Sequence, residues 1–136
     1  MRLIPFLPQR RFDKLLWCCD VNFVRGEDSF VRAQWAARPF VWHIYTQAEG
    51  AHAVKLDAFL ELYGRELDAG PLSAMRGLWH AWNAIAPHGD LAAAWHRFVA
   101  QEVVLSRHAR EWAESQEKGV DLAGRLARFC EERLKY

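Results

Sequence analysis

Residues 21–47 read VNFVRGEDSFVRAQWAARPFVWHIYTQ, and this stretch decides the fold of the chain. Residues 21–24 are a short run of side chains that favour β-structure, and residues 25–29 form a charged corner with good helix-capping residues. A helix follows and ends before Pro39, after which residues 40–45 form a second strand. The stretch therefore predicts a β-α-β unit with a polar turn at the carboxyl end of its first strand, where open α/β sheets bind ligands.

The charged corner carries groups that suit an anionic ligand. A helix that begins near Asp28 or Ser29 leaves its first N–H groups unpaired and directs its positive dipole end at the corner. Arg25 adds a positive charge, Gly26 allows a tight turn, and the Ser29 hydroxyl can donate to a phosphate oxygen. Glu27 and Asp28 would repel a bare phosphate unless one caps the helix and the other faces sugar hydroxyls, a reacting group or a cationic acceptor. That division of roles suggests a nucleotide-sugar.

A purely structural explanation of the same corner stays open. Asp28 can act only as an N-cap, which contributes about 1 kcal/mol, while Arg25 and Glu27 form a solvated pair. The turn has a single glycine, so it lacks the multi-glycine pattern that makes phosphate-binding motifs specific. These residues alone do not choose between a binding turn and a helix cap.

A resemblance to a known family runs through most of the chain. The matching segments are Pro8-Gln9, Phe12, Leu15-Leu16-Trp17, Cys19-Asp20, residues 22–36, 38–45, Ala51-His52 and 55–60, and more loosely residues 79–83 and 108–113. They closely resemble the C-terminal half of the bacterial protein-arginine rhamnosyltransferases that modify elongation factor P. The resemblance implies a GT-B glycosyltransferase with two Rossmann-like domains, which transfers rhamnose from dTDP-β-L-rhamnose to a guanidinium nitrogen of one arginine, with inversion at the sugar.

The resemblance assigns the nucleobase of the donor to Phe12 and Gln9. Phe12 would stack on thymine, a contact worth about 1–3 kcal/mol per base in nucleic-acid complexes. The Gln9 side chain can pair with the donor and acceptor edge of thymine. By pattern alone, Phe12 fits equally well a core position on a helix that carries Leu15 and Leu16.

The resemblance also assigns roles to the charged corner. Arg25, Asp28 and Ser29 would hold the ribose and diphosphate of the donor, and Glu27 is the acidic residue that the family needs for activity. The cysteines and histidines show no spacing typical of a metal site. We therefore expect no metal ion, and no cofactor besides the donor substrate.

The expected fold is α/β: a partial Rossmann-like C-terminal domain of a GT-B glycosyltransferase, with about three parallel strands followed by a helix-rich C-terminal region. Strands are expected at residues 3–7, 21–24 and 40–45. Residues 1–50 would form the β-α-β core of the donor site, and residues 51–136 the helical region. The family's N-terminal acceptor domain is absent from these 136 residues. We therefore expect an incomplete nucleotide-sugar-binding domain that binds dTDP without turnover.

Helical periodicity dominates the chain after Gly50. One helix is expected to end at Gly64, and the next to follow Pro71. Asp90 and Asp121 are the expected N-caps of two further helices. The expected apolar faces are His52, Leu56, Phe59, Leu60 and Tyr63; Leu72, Met75, Leu78, Trp79, Trp82 and Ile85; Leu91, Trp95, Phe98, Val99, Leu105 and Trp112; and Leu122, Leu126, Phe129 and Leu134.

The composition agrees with a cytosolic domain. The formal net charge of +1 argues against nucleic acid or an acidic membrane as partners. Three cysteines without metal-ligand spacing indicate buried, reduced thiols and a reducing compartment. The sequence shows no signal peptide and no apolar run long enough to span a membrane, so we expect a cytoplasmic location.

A non-catalytic α/β interaction or scaffold module is the alternative. In that case the charged corner is only a helix cap, and the chain is indifferent to nucleotides. As the donor-binding half of an enzyme, the chain would instead bind dTDP and have elongation factor P as its acceptor partner. It would also expose an unpaired sheet edge and apolar surface.

Overall fold

The structure is a computed structural model that describes residues 3–47, 50–85, 89–119 and 122–133. After one helix, a short parallel sheet and its crossover helix follow, and helices make up the rest. None of the described helices is long and apolar enough to cross a membrane. The elements are α1 (Gln9–Cys18), β1 (Asn22–Arg25), α2 (Glu27–Trp35), β2 (Phe40–His43), α3 (Ala51–Tyr63), α4 (Ala69–Trp82), α5 (Leu91–Val99), α6 (Glu102–Glu117) and α7 (Leu122–Arg133).

The strands β1 and β2 form a parallel pair joined by α2, which confirms the expected β-α-β unit. Their register places Asn22 opposite Phe40. β2 is almost fully buried because α2 and α4 both pack against it. β1 alternates instead: Asn22 and Val24 are buried, while Phe23 and Arg25 are exposed.

The expected third strand is absent, because the sheet in the described residues has two strands. Residues 3–7 carry no regular secondary structure. Pro5 and Pro8 lack the N–H group that a strand ladder needs. Leu3 and Phe6 are 84% and 97% exposed rather than buried against a helix. The prediction of about three parallel strands is therefore wrong for this segment.

The core is centred on β2 and the helices that cover it. The ring centre of Phe40 lies 5.4 Å from that of Tyr63 on α3 and 5.3 Å from that of Trp79 on α4. Trp79 and Leu56 have no exposed surface, and burying a large apolar side chain contributes about 1.5–3 kcal/mol. This packing fixes β2, and with it the carboxyl end of the sheet.

Most helix boundaries after the sheet agree with the sequence pattern. α3 ends with Gly64 as its C-cap, and Asp90 caps α5 by accepting hydrogen bonds from two backbone N–H groups at 3.3 and 3.0 Å. α4 begins before Pro71, which lies in the first turn, where N–H groups have no intrahelical acceptor. The expected cap Asp121 lies outside the described residues, as does Leu134.

The single helix expected from Leu91 to Trp112 is in fact two helices, α5 and α6. The chain turns between them, where the Gln101 N–H donates to the Phe98 carbonyl at 3.0 Å instead of continuing the α-helical pattern. Tertiary packing explains the break, since α5 packs on α4 whereas α6 packs on α2. One straight helix could not reach both partners.

The cysteines are free thiols, but their expected burial is wrong. Cys18 and Cys130 are exposed, and Cys19 is half-buried. Cys18 and Cys19 lie at the end of α1, away from the buried Leu16. Cys130 lies on α7, where every residue from Arg125 onward that the structure describes is exposed. Cys18 and Cys130 thus lie on exposed helix surfaces, and Cys19 lies at the C-cap of α1 beside a cavity lined by α5.

Candidate functional site

The charged corner between β1 and α2 is a tight turn at Gly26. Gly26 has φ 83° and ψ 170°, a conformation that residues with a side chain rarely adopt. A Cβ atom at this position would lie 3.1 Å from the hydroxyl oxygen of Tyr45. The corner therefore requires glycine for its backbone conformation and for the close approach of Tyr45.

The N-terminal end of α2 faces this corner without a side-chain cap. Gly26 is the N-cap, and no side chain in the described residues accepts a capping hydrogen bond there. Asp28 is the second residue of the helix, so the explanation of Asp28 as the N-cap is wrong. Unpaired N–H groups and the positive end of the helix dipole together suit an anion.

The carboxylate of Asp28 is held by an arginine on the same helix. Arg32 Nε donates to Asp28 Oδ2 at 2.8 Å, and Arg32 Nη1 donates to the two carboxylate oxygens of Asp13 at 2.8 and 3.1 Å. These hydrogen bonds, to Asp28 first and then to Asp13, raise the pKa of the Arg32 guanidinium above its ordinary value. Arg32 therefore stays charged and offsets the repulsion that Asp28 would exert on an anion.

Arg25 and Tyr45 meet at the carboxyl edge of the sheet. Arg25 is the last residue of β1, and Tyr45 follows β2 by two positions. The Arg25 guanidinium carbon lies 5.0 Å from the centre of the Tyr45 ring, which is a cation–π distance. Both side chains are exposed, so the positive charge of Arg25 is available beside the corner.

A groove of about 490 Å³ lies beside the corner, between residues 4–7, α1 and α2. Gln9 and Phe12 on α1 line it together with Asp28 and Ser29 on α2. The structure therefore brings the expected base-binding residues next to expected ribose- and diphosphate-binding residues. The other lining residues are Ile4, Pro5, Phe6, Leu7, Leu15 and Arg32.

Phe12 takes part in both the core and the groove, the two roles that the sequence left open. It is half-buried, packs against the core and also lines the groove. Leu16, one turn further along α1, is buried. The helix is therefore anchored through its apolar face while Phe12 and the exposed Gln9 border the groove.

Arg25 and Glu27 are not among the residues that line the groove. Both are exposed at the corner itself, Arg25 at the end of β1 and Glu27 at the start of α2. In the described part of the chain, Glu27 forms no salt bridge. Its carboxylate is therefore free to meet a group from outside these residues.

Several residues of the corner and groove were missed from the sequence. Arg32 follows Asp28 by four positions, a helix spacing that already indicates an ion pair. Tyr45 could have been found from its place after the second parallel strand, whose end must meet the end of the first. Asp13 lies 19 residues from Arg32 and gives no comparable signal. Phe6 falls in the expected strand of residues 3–7, so the sequence does not indicate its place in the groove.

Two histidines, His80 and His108, make structural contacts. His80 Nε2 lies 2.7 Å from Asp57 Oδ1, and His108 Nε2 donates to the Tyr63 carbonyl at 2.8 Å. Burial lowers the pKa of His108, so its ring is neutral at neutral pH. No cluster of histidine, cysteine, aspartate or glutamate in residues 3–47, 50–85, 89–119 and 122–133 could hold a metal ion.

The fold has a counterpart among solved structures. It matches, with a TM-score of 0.78 and 44% sequence identity, a structure described as "Structural basis for EarP-mediated arginine glycosylation of translation elongation factor EF-P". The match covers 94% of this chain and 39% of that one. In fold, the chain is thus similar to part of a glycosyltransferase.

The sequence shows which family of glycosyltransferases the chain belongs to. Residues 1–131 match the family described as "Elongation-Factor P (EF-P) rhamnosyltransferase EarP", and the chain belongs to that family. It is 51% identical over 129 residues to the protein-arginine rhamnosyltransferase of Pseudomonas aeruginosa and 41% identical over 135 residues to that of Shewanella oneidensis. These matches cover 95% and 97% of this chain but 34% and 33% of the two relatives. The chain spans about a third of their length.

Proposed function

We propose that this chain is the donor-binding half of an inverting GT-B glycosyltransferase, which transfers rhamnose from dTDP-β-L-rhamnose to an arginine of translation elongation factor P. The observation that carries the proposal is the groove between α1 and α2. Residues of both helices that are expected to bind the nucleotide-sugar line this groove together. Family membership and the names of the relatives support the reaction class. On this proposal the chain alone binds dTDP but does not catalyse the transfer of rhamnose.

The thymine base would lie against α1. Gln9 and Phe12 are three positions apart on this helix, so their side chains share one face. Stacking on Phe12 would contribute about 1–3 kcal/mol, and the Gln9 amide can both donate to and accept from the thymine edge. Phe6, 97% exposed, offers a further aromatic ring along the same groove.

The diphosphate would lie at the N-terminal end of α2. The free N–H groups of the first turn, the Ser29 hydroxyl and the Arg25 guanidinium are donors fixed by the fold before the ligand arrives. As the bond between the sugar and the phosphate breaks, negative charge grows on the departing dTDP. Donors that are already oriented stabilise this charge in the transition state without reorganising. Asp28, held by Arg32, is left to face the ribose hydroxyls.

Glu27 would act on the side of the sugar that faces the acceptor. Its exposed carboxylate has no salt-bridge partner in the described residues, and a carboxylate binds a guanidinium well. In the reaction, a guanidinium nitrogen attacks the anomeric carbon opposite the phosphate, and dTDP leaves with the electron pair of the broken bond. We assign Glu27 to orienting the reacting groups at this step.

The reaction proposed here needs the donor substrate and no metal ion or other cofactor. The partner is a translation factor, which places the protein in the cytoplasm on this proposal. The remaining part of the family's longer proteins would supply the acceptor-binding surface and the base that takes the proton from the arginine.

Calorimetric titration with dTDP and UDP tests the proposal. We expect the chain to bind dTDP more tightly than UDP, and we expect Phe12→Ala and Arg25→Ala to weaken dTDP binding. Phe129→Ala and Arg133→Ala are matched controls, because Arg133 also lies over an exposed aromatic ring, 5.3 Å from the centre of Phe129 on α7. No preference for thymidine, or equal effects of site and control variants, would refute the site.

A non-catalytic interaction or scaffold module remains the second candidate. It is favoured by exposed aromatic side chains outside the groove, such as Trp17 and Trp35, which are 53% and 54% exposed. This candidate predicts no measurable heat of binding with either nucleotide. The same titration therefore separates the two.

A further inference from the structure

We propose that Asn83 is a positioning residue for diphosphate binding, an inference that rests on the proposed function. Asn83 is the C-cap of α4, and its side-chain amide reaches the end of β2. The Ile44 N–H donates to Asn83 Oδ1 at 3.0 Å, and Asn83 Nδ2 donates to the Trp42 carbonyl at 2.8 Å. Nδ2 also donates to the Trp79 carbonyl at 2.9 Å.

The two contacts with β2 have the pattern of a neighbouring parallel strand. In a parallel ladder, a residue donates its N–H to one carbonyl of the adjacent strand and accepts from the N–H two residues further on. A side-chain amide carries the same donor and acceptor as a peptide group. Asn83 uses them on Trp42 and Ile44, which are two positions apart. In the described residues, where the sheet has two strands, Asn83 thus takes the place of a third strand at the end of β2.

This contact controls where Tyr45 lies. Tyr45 directly follows Ile44, so the hydrogen bond to the Ile44 N–H sets the direction in which the chain leaves β2. The Tyr45 ring lies 5.0 Å from the Arg25 guanidinium and packs against Gly26. A displaced ring would release Arg25 from its position beside the N-terminal end of α2. Asn83 therefore acts on the diphosphate through Tyr45 and Arg25 and does not touch it.

The contact also has a rigid base. Trp79, whose carbonyl accepts from the same Nδ2, has no exposed surface and packs against Phe40 of β2. The backbone N–H of Asn83 donates to that same carbonyl at 3.1 Å. Two hydrogen bonds to the Trp79 carbonyl thus fix Asn83 to α4. A residue fixed in this way can set the position of Ile44 and of the Tyr45 that follows it.

Titration of dTDP into Asn83→Ala tests the inference, with Gln34→Ala as the matched control. Gln34 is also a half-buried amide that joins two elements, since its Oε1 accepts from Trp112 Nε1 at 3.1 Å. It lies near the end of α2 that is far from the corner. At a temperature at which thermal melts show both variants folded, we expect dTDP binding by Asn83→Ala to be about two- to fivefold weaker, no more than the loss of the Tyr45 ring itself would cause. We expect unchanged binding by Gln34→Ala.

A double variant separates positioning from a general loss of structure. Because Asn83 acts through Arg25, Asn83→Ala should weaken dTDP binding no further when Arg25→Ala is already present. The same loss in both backgrounds, or normal binding by Asn83→Ala, would overturn the inference. If Asn83→Ala does not fold, Asn83→Leu takes its place with the same expectation, since it keeps a similar volume but can neither accept from the Ile44 N–H nor donate to the Trp42 carbonyl. If the unchanged chain binds no dTDP, both the proposed function and this inference are overturned. If the unchanged chain and Asn83→Ala bind dTDP equally well, this inference alone is overturned.

Discussion

Asp13 on α1 and Arg32 on α2 form an ion pair, with 2.8 Å between Oδ1 and Nη1. The pair joins the two walls of the groove, because α1 carries the proposed base-binding residues and α2 carries proposed ribose- and diphosphate-binding residues. The side chains are 31% and 23% exposed, so solvent screens the pair less than it screens an ion pair on the open surface. The ion pair therefore helps to set the spacing between the two halves of the donor site.

Arg32→Ala is expected to weaken dTDP binding about tenfold. The variant leaves the carboxylates of Asp28 and Asp13 without their counter-charge beside an anionic ligand. Calorimetric titration at low and at high salt measures the effect, which should be larger at low salt. Arg38→Ala is the control, since Arg38 donates to the Trp17 carbonyl outside the groove. Equal affinities of the two variants would contradict the assigned role of Arg32.

Tyr45→Ala is expected to weaken dTDP binding about two- to fivefold, while Tyr45→Phe retains it. The ring supports the Arg25 guanidinium, and a cation–π contact at an exposed site is worth about 0.5–1 kcal/mol. The phenol hydroxyl is not needed for that contact. Calorimetric titration of dTDP into both variants measures the effect. A loss of affinity in Tyr45→Phe as large as that in Tyr45→Ala would contradict this explanation and show that the hydroxyl acts directly on the ligand.

Gly26→Ala is expected to lower the free energy of unfolding by about 1–3 kcal/mol. The alanine would have to adopt φ 83°, and its Cβ would lie 3.1 Å from the Tyr45 hydroxyl oxygen. Gly77→Ala in the interior of α4 is the control, because a Cβ there would meet Arg97 Nη2 at 4.0 Å, an ordinary contact, and helix propensity favours alanine by about 1 kcal/mol. Urea unfolding should show opposite signs for the two variants. Equal stability of Gly26→Ala and the unchanged chain would contradict the assigned role of Gly26.

The free energy of unfolding is expected to fall as the pH falls below about 6.5, in part because of His108. Burial lowers the pKa of His108 in the folded chain below its ordinary value of 6.5, although the Tyr63 carbonyl and the charges of Glu111 and Glu66 oppose this shift. The unfolded state therefore binds the proton more readily below pH 6.5. This contribution is fully present above the unfolded pKa and is lost as the pH falls toward the folded pKa.

His108→Gln tests that origin, because its amide can still donate to the Tyr63 carbonyl but does not titrate. Urea midpoints measured from about pH 8 down to about pH 5 should vary less with pH in this variant than in the unchanged chain. Identical pH profiles would assign the acid sensitivity to other groups.

The β-α-β unit could be predicted from the sequence because its signals are local. Pro39 separates the helix from a run of β-favouring residues, and a single glycine marks the corner. The break between α5 and α6 could not be predicted, because the buried positions Ala94, Phe98 and Leu105 keep a helical spacing across it. It arises from packing on two different helices, which the local pattern does not encode. The apolar residues 3–7 favour a strand by composition, but Pro5 and Pro8 lack the N–H group that a strand ladder needs, and the segment carries no regular secondary structure.

The site divides in the same way between local and distant signals. The charged corner was visible from residue types, and the resemblance supplied roles for Gln9 and Phe12. The joining of α1 to α2 by Asp13 and Arg32 depends on a tertiary contact between residues that lie 19 positions apart. Such contacts leave no periodic trace in the sequence, so they had to be seen in the structure.

The most direct test of the account is NMR mapping of dTDP binding on the labelled chain. The account predicts the largest amide shifts at the start of α2, at Asp28 and Ser29, and on α1 around Phe12. A second cavity, of about 480 Å³, lies at the opposite end of β1 and serves as an internal comparison; its lining includes Val21, Phe23, Trp95, Phe98 and Glu102. Shifts centred on that cavity, or no shifts with excess dTDP, would contradict the claim that the groove between α1 and α2 binds the donor.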